Sequence, residues 1–389
     1  MLVLQAFGSN GSGQLGLGHT DDVSTPQPVL LPPDLFSTNA PLTSHTSDSV
    51  TPTQHPQPKL LSISAGGNHT LLLFSSGNLL WSGDPTTGAC GRVESSSPTP
   101  RFQPVDLSNL PPNERRNIKL VAATWEASII ATSSSSSDQE GHDDGLDKVY
   151  SFGSGAKGEL GLGQGTHRAE EPTEIPNFPP PGTKVMHLAA CMGHVVAVLS
   201  NGEAWGWGNG RKGQLGEPAV GAVYSPRRIE GVDFRVVRAV CGREFTCLLG
   251  APDSGEMLVL GSDKWGLKSH APKTVASWRE VGAGWGSMFV VKEDRTFLSW
   301  GRNDHGQMPP SGLGPVRKLA VGSEHALALT EAGDLIAWGW GEHGNCGPIP
   351  TDTAQKGWSN KIASSGPETS ISMIGAGCAT SWIALEQIP

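Results

Sequence analysis

Charge is scarce in this chain: Asp, Glu, Lys and Arg make up only 17% of its 389 residues, too little for an acidic disordered protein. The formal net charge of −9 speaks against a dedicated DNA or RNA binder, so no direct nucleic-acid contact is expected. The cysteines Cys90, Cys191, Cys241, Cys247, Cys346 and Cys378 are scattered without a single C-x-x-C pair. That scatter excludes a clustered zinc site or a disulfide framework and suits buried, reduced thiols. No cofactor or metal is therefore expected. No apolar run is long enough to span a membrane, and MLVLQAFGSNG lacks the positive stretch of a signal peptide. The expectation is a soluble protein of the cytoplasm, with the nucleus as a second compartment.

Glycine and proline are abundant instead. The 51 Gly and 30 Pro together exceed a fifth of the chain, which favours many short elements joined by tight turns. The length admits two or three domains or one large all-β domain. Gly11, Gly13 and Gly16 in FGSNGSGQLGLG spell G-x-G-x-x-G, the fingerprint of a dinucleotide phosphate loop. The same string recurs at Gly153, Gly155 and Gly158, and again at Gly208, Gly210 and Gly213. A phosphate loop needs a helix after its last glycine, whereas HTDDVSTPQPV and VYSPRRI carry turn residues and no helical period. One cofactor loop is conceivable but three are not, and these glycines read as repeated turns with positive φ.

Two units alternate along the chain, seven copies of each. The first includes AWGWGNGRKGQLG (204–216), IAWGWGEHGNCG (336–347) and LVLGSDKWGL (258–267). The second includes ISAGGNHTLLLF (63–74), LAACMGHVVAVL (188–199) and LAVGSEHALALT (319–330). Each period of about 40 to 60 residues holds four short β-like runs, the mark of a propeller blade. The fold class is therefore all-β: one seven-bladed β-propeller of four-stranded blades spanning 1–389. Proline on the fourth strand puts that strand at the outer edge. The chain begins within a third strand and ends after a second, so the two terminal half-blades should pair and close the ring. Two segments break the period, PPDLFSTNAPLTSHTSDSVTPTQHPQP (32–58) and SSSSSDQEGHDDGLD (133–147), and both read as disordered insertions.

The shared elements A-G-x-x-H-T, a Gly turn, and W-G-x-N-x-x-G-Q-L-G followed by Pro resemble the repeats of the regulator of chromosome condensation family. That family holds exchange factors, photoreceptors and plain binding platforms, so the resemblance implies a fold more firmly than a function. The opening AFGSNGSGQLGLGHTDDVSTPQ, followed by AGGNHTLLLFSSGNLLWSGD, further resembles its small members known as alpha-tubulin suppressor or killer-toxin-insensitivity proteins. That resemblance implies a non-enzymatic accessory of the small CSL-type zinc protein of diphthamide synthesis, bound as a heterodimer. It would support diphthamide formation on elongation factor two and, indirectly, Elongator-dependent modification of tRNA wobble uridines. The alternative is a guanine-nucleotide exchange factor for a Ran-like GTPase. The acidic balance and the missing basic N-terminal tail stand against that alternative. A tryptophan photoreceptor would need repeated G-W-R-H-T loops, yet Trp125 and Trp285 alone occupy that slot and neither precedes Arg.

Up-and-down connectivity puts the G-x-x-H loops and the N-x-x-G-Q-L-G loops of every blade on one face. The variable G-x-x-H positions that offer interface residue types are Trp125, Glu126, Met192, Arg243, Glu244, Trp285 and Glu324. These are the expected partner-binding residues. The competing reading folds the two tryptophans inward as a plug of the central channel. His69, His194 and His325 share a slot that elsewhere holds Ala127, Phe245, Ser287 or Thr380, which makes the slot structural. Trp205, Trp300 and Trp338 read as core, with Trp207 and Trp340 facing the surface. Arg211, Lys212, Arg227 and Arg228 read as the one notable basic patch. No residue set suggests catalysis.

Overall fold

A computed structural model describes residues 2–36, 58–93, 96–133, 147–349 and 358–388. Seven antiparallel sheets follow one another around a ring. Blade 1 draws on both ends of the chain, Leu2–Gly8 and Val23–Pro28 with Thr369–Ala376 and Thr380–Gln387. Blades 2, 3 and 4 open with Leu60–Ala65, Ile118–Ala123 and Val185–Cys191. Blades 5, 6 and 7 open with Arg238–Cys241, Trp278–Ala283 and Val316–Val321. Five sheets have four strands, while blades 5 and 6 have three. In blade 5 a lone bridge between Glu256 and Thr274 stands where the fourth strand would run. The propeller reading is thus upheld, with the outer strand reduced to loop in two blades.

The second strand of each blade is pressed between neighbouring sheets. His69–Phe74, Ala127–Thr132, His194–Leu199 and His325–Thr330 are buried at every position. This double burial explains why HTLLLF and HVVAVL read as nearly continuous apolar runs. The fourth strands carry Pro26, Pro28, Pro100, Pro104, Pro172 and Pro226, and sit at sheet edges where no ladder donor is lost. The hydrophobic core lies at the blade seams. Between blades 1 and 2, for example, Leu4, Leu15, Leu72, Phe74, Phe102 and Trp382 form one cluster.

The ends close the ring as the repeat count demands. Leu2–Gly8 pairs antiparallel with Thr380–Gln387 over an unbroken register from Leu2 opposite Glu386 to Gly8 opposite Thr380. Trp382 at this junction is fully buried and meets Phe102 edge-on at 6.0 Å. Of the two insertions, 37–57 and 134–146 lie outside the described residues. Their described flanks are Pro33–Phe36, a 3-10 turn, and Asp147, whose buried carboxylate pairs with Lys119 and accepts from the Val185 amide.

The glycine string acts as a turn. Gly13 and Gly16 have φ of 74° and 69°, and a Cβ on Gly16 would sit 2.4 Å from the Phe102 ring. Gly11 has ordinary φ and open space around it. Asn10 holds the loop from within, accepting from the Leu15 amide and donating to the His19 carbonyl. Gln14 accepts from the Ser12 amide. The consensus Asn and Gln are thus internal braces. No helix follows the string; a strand, Val23–Pro28, does.

Candidate partner-binding face

In all seven blades the two predicted loop families meet. The residue after each third-strand glycine donates to the last variable residue of the same blade's G-x-x-H loop. These bonds run from Ser9 to Ala379, Asp84 to Asn68, Ser154 to Glu126, Asn209 to Gly193, Ser262 to Glu244, Arg302 to Gly286 and Trp340 to Glu324. One face of the ring therefore carries both loop families. Adjacent blades are linked there too: Gly67 donates to Trp125, Trp125 to Met192, Arg243 to Trp285, Trp285 to Ser323 and Ser323 to Gly377, all through backbone amides and carbonyls. This belt fixes the loop tips on a rigid frame.

The histidine slot stitches second strands together below the belt. His69 Nε2 lies 3.0 Å from Ser128 Oγ of the next blade, and that hydroxyl donates to the Ala89 carbonyl. The hydroxyl must then accept from the ring, which assigns the hydrogen to Nε2. His194 meets Thr246 at 3.0 Å and His325 meets Ser381 at 2.9 Å in the same way. Burial drives all three imidazoles down to about 4, so they are neutral at physiological pH.

Trp125 and Trp285 sit at the centre of the face. Their rings are 6.0 Å apart and tilted by 41°, spanning the axis from blade 3 to blade 6. Both are half-buried. The Trp125 indole lies on Gly67, where a Cβ would approach it to 2.6 Å. The pair roofs the channel and remains half-exposed to solvent. Beneath it lies a cavity of about 110 Å³ lined largely by Ala, Gly, Cys191, Cys241 and Cys378. Burial pushes the Cys378 thiol to about 11 and the Cys241 thiol to about 12, which keeps both protonated. Among the described residues no three His, Cys, Asp or Glu side chains are grouped so as to hold a metal ion.

The remaining predicted residues divide. Glu126 and Arg243 are exposed, and Met192 and Glu244 are half-buried. Arg243 lies over the Trp285 ring at 5.2 Å. A second cavity of about 390 Å³ brings Trp125, Glu126, Met192, Arg243 and Glu244 together with Glu159. Burial, with the charge of Glu126 adding to it, raises the Glu159 carboxyl above its usual value. Glu324 is buried, its carboxylate held by Arg302 and by Gln307 at 2.9 Å. It is therefore framework and not displayed.

Sequence reasoning misplaced one tryptophan. Trp207, expected at the surface, is fully buried and donates to the Glu159 carbonyl at 2.9 Å, while Trp205 is half-buried against Phe178. The string W-G-W-G offers two registers, and His194 pairs opposite Gly208, whose φ of 102° matches the other third-strand glycines. Arg227 is taken up by the carbonyls of Leu215, Gly216 and Pro218, and Arg228 by Glu203 and Glu230. That patch is half neutralised. The residues missed are Trp265, 40% exposed, and Arg302, which lies over both Trp265 and Trp340. Trp340 is 37% exposed, as expected, with His305 stacked on it at 4.0 Å.

A ring of seven antiparallel blades with both loop families on one face defines a seven-bladed β-propeller. The RCC1-like domain model matches residues 3–383, and the chain belongs to that family. It is 28% identical over 403 residues to RCC1 repeat-containing protein C10F6.04 of Schizosaccharomyces pombe, covering 99% of each chain. It is 26% identical to the mouse secretion-regulating guanine nucleotide exchange factor, covering 89% of this chain and 75% of the relative. Among solved structures, Prp20p of Saccharomyces cerevisiae superposes with a TM-score of 0.76 at 20% identity, over 100% of this chain and 92% of that one. The last likeness concerns the fold alone.

Proposed function

We propose that this chain is a non-enzymatic accessory propeller that binds the small CSL-type zinc protein of the diphthamide pathway. In that role it supports diphthamide formation on elongation factor two and Elongator-dependent tRNA modification, in the cytoplasm and nucleus. The observation that carries a binding role is the half-open Trp125–Trp285 pair, 6.0 Å apart on a face braced by inter-blade hydrogen bonds. Aromatic residues on a rigid frame are the usual anchors of protein interfaces. The choice of partner rests on the resemblance of residues 6–27 and 65–84 to the killer-toxin-insensitivity proteins.

A second reading has support from the name of one relative, a guanine nucleotide exchange factor. A pull-down with the intact chain separates the two. Recovery of a small zinc protein supports the accessory role; stimulated GDP release from a Ran-like GTPase, with no such protein recovered, supports exchange.

A further inference from the structure

The face holds an off-axis groove that the central tryptophan pair does not account for. We propose that this groove, built by blades 5, 6 and 7, takes an acidic segment of a partner protein and seats a carboxylate between Trp265 and Trp285. This deepens the reading of the face as a docking surface and rests on it.

The groove encloses about 200 Å³, lined by Trp265 and Trp285, by the cations Arg243, Lys264 and Arg302, and by the carboxylates Glu244 and Glu324. Trp265 stands at φ 69°, a left-handed conformation that is costly for a bulky residue. It is nonetheless 40% exposed. The neighbouring blade gives way to it: a Cβ on Gly286 would lie 3.0 Å from Trp265 Cδ1. An exposed indole held in place at a conformational cost is the kind of residue an interface uses as an anchor.

Cations lie against these rings. Arg243 is 5.2 Å from the Trp285 ring centre, Lys264 is 5.0 Å from that of Trp265, and Arg302 is 5.4 Å from the latter on its own side. Arg302 is already matched, by Asp304 and Glu324, and its bond holds Asp304 well below the usual carboxylate range. Arg243 and Lys264 form no ion pair among the described residues, nor does exposed Lys268 on the same loop. Two unmatched cations, each steered by an aromatic face, converge on a groove of side-chain size. The complementary occupant is a carboxylate on a peptide chain. Beyond Arg243, Glu126 and Glu159 line the adjoining cavity and repel that same segment, while Glu244 stands on the wall the two cavities share. The repulsion confines it to the blade 5–7 side and sets its direction.

The test uses the full chain and fluorescein-labelled hexaglutamate, with hexaglutamine and hexathymidylate as comparisons, read by anisotropy. Hexaglutamate should bind at least about tenfold tighter than hexaglutamine and weaken as salt rises. Arg243→Gln with Lys264→Gln should cut that affinity about tenfold or more at an unchanged melting temperature. Arg211→Gln with Lys212→Gln, a cation pair elsewhere on the face, should leave it unchanged. Equal binding of hexaglutamine, tighter binding of hexathymidylate, or indifference to the Arg243 and Lys264 changes would overturn the proposal. If the zinc protein is not recovered while hexaglutamate behaves as stated, only the choice of partner falls. If the zinc protein is captured equally by wild type and the Arg243/Lys264 variant, and hexaglutamate shows no preference, only the groove falls.

Discussion

His194 of blade 4 reaches across the seam to Thr246 of blade 5, with Nε2 and Oγ1 3.0 Å apart and the imidazole fully buried. His69 with Ser128 and His325 with Ser381 repeat the contact at two further seams. Burial lowers these rings from 6.5 to about 4, so the unfolded chain binds protons that the folded one refuses. Stability is therefore full above the unfolded pKa and declines as pH falls from about 6.5 through about 4. Urea midpoints between pH 7 and 4.5 should fall steeply, and His194→Gln should flatten that slope. An identical slope in the variant would show that the seam histidines do not govern it.

Closure of the ring through blade 1 gives a second expectation. Removing the chain from Met373 onward takes away Thr380–Gln387 and with it the partner of Leu2–Gly8. The melting temperature should drop sharply, and Trp382→Ala alone should cost about 3–5 kcal/mol, the usual range for a buried aromatic. A truncated chain that melts like the parent contradicts the closure.

The glycine string can be probed one glycine at a time. Gly11→Ala should leave stability within about 0.5 kcal/mol, since its surroundings are open and its φ is ordinary. Gly16→Ala should cost about 1–3 kcal/mol, because φ is 69° and the Phe102 ring blocks the Cβ. A phosphate loop would instead show its sensitivity in ligand binding, at Gly11 as much as at Gly16.

Trp125→Ala with Trp285→Ala should weaken capture of the partner by about tenfold or more, as loss of interface anchors does. Circular dichroism should be unchanged, because the pair roofs a channel whose walls are braced by backbone hydrogen bonds. Undiminished capture would move the binding surface off the axis.

The architecture was legible in the sequence because each blade repeats the same physical demands. Left-handed turn glycines, doubly buried second strands and prolines on outer strands all leave marks that recur. Closure was legible for the same reason, since a half-blade at each end leaves an edge that needs covering. The site was only partly legible. Position in the loop marked Trp125, Trp285 and Arg243, but nothing local distinguishes displayed Glu126 from Glu324, which Arg302 draws inward from another blade. Trp265 was hidden for a related reason. It sits in a decayed repeat, and its exposure depends on the absence of a side chain at Gly286, 21 residues further on. The register of W-G-W-G is decided by which glycine faces His194, a pairing across strands that a linear pattern does not contain.

The pairing of Leu2–Gly8 with Thr380–Gln387 also orders events in time. During synthesis Leu2–Gly8 emerges well before its inner neighbour Thr380–Gln387, which follows only after the other six blades. Six blades can assemble from contacts close in sequence, and the seventh must wait for the slowest contact of all. Until then the apolar side of Leu2–Gly8 and its free edge stay open, so the nascent ring has one vulnerable gap, and it lies at blade 1.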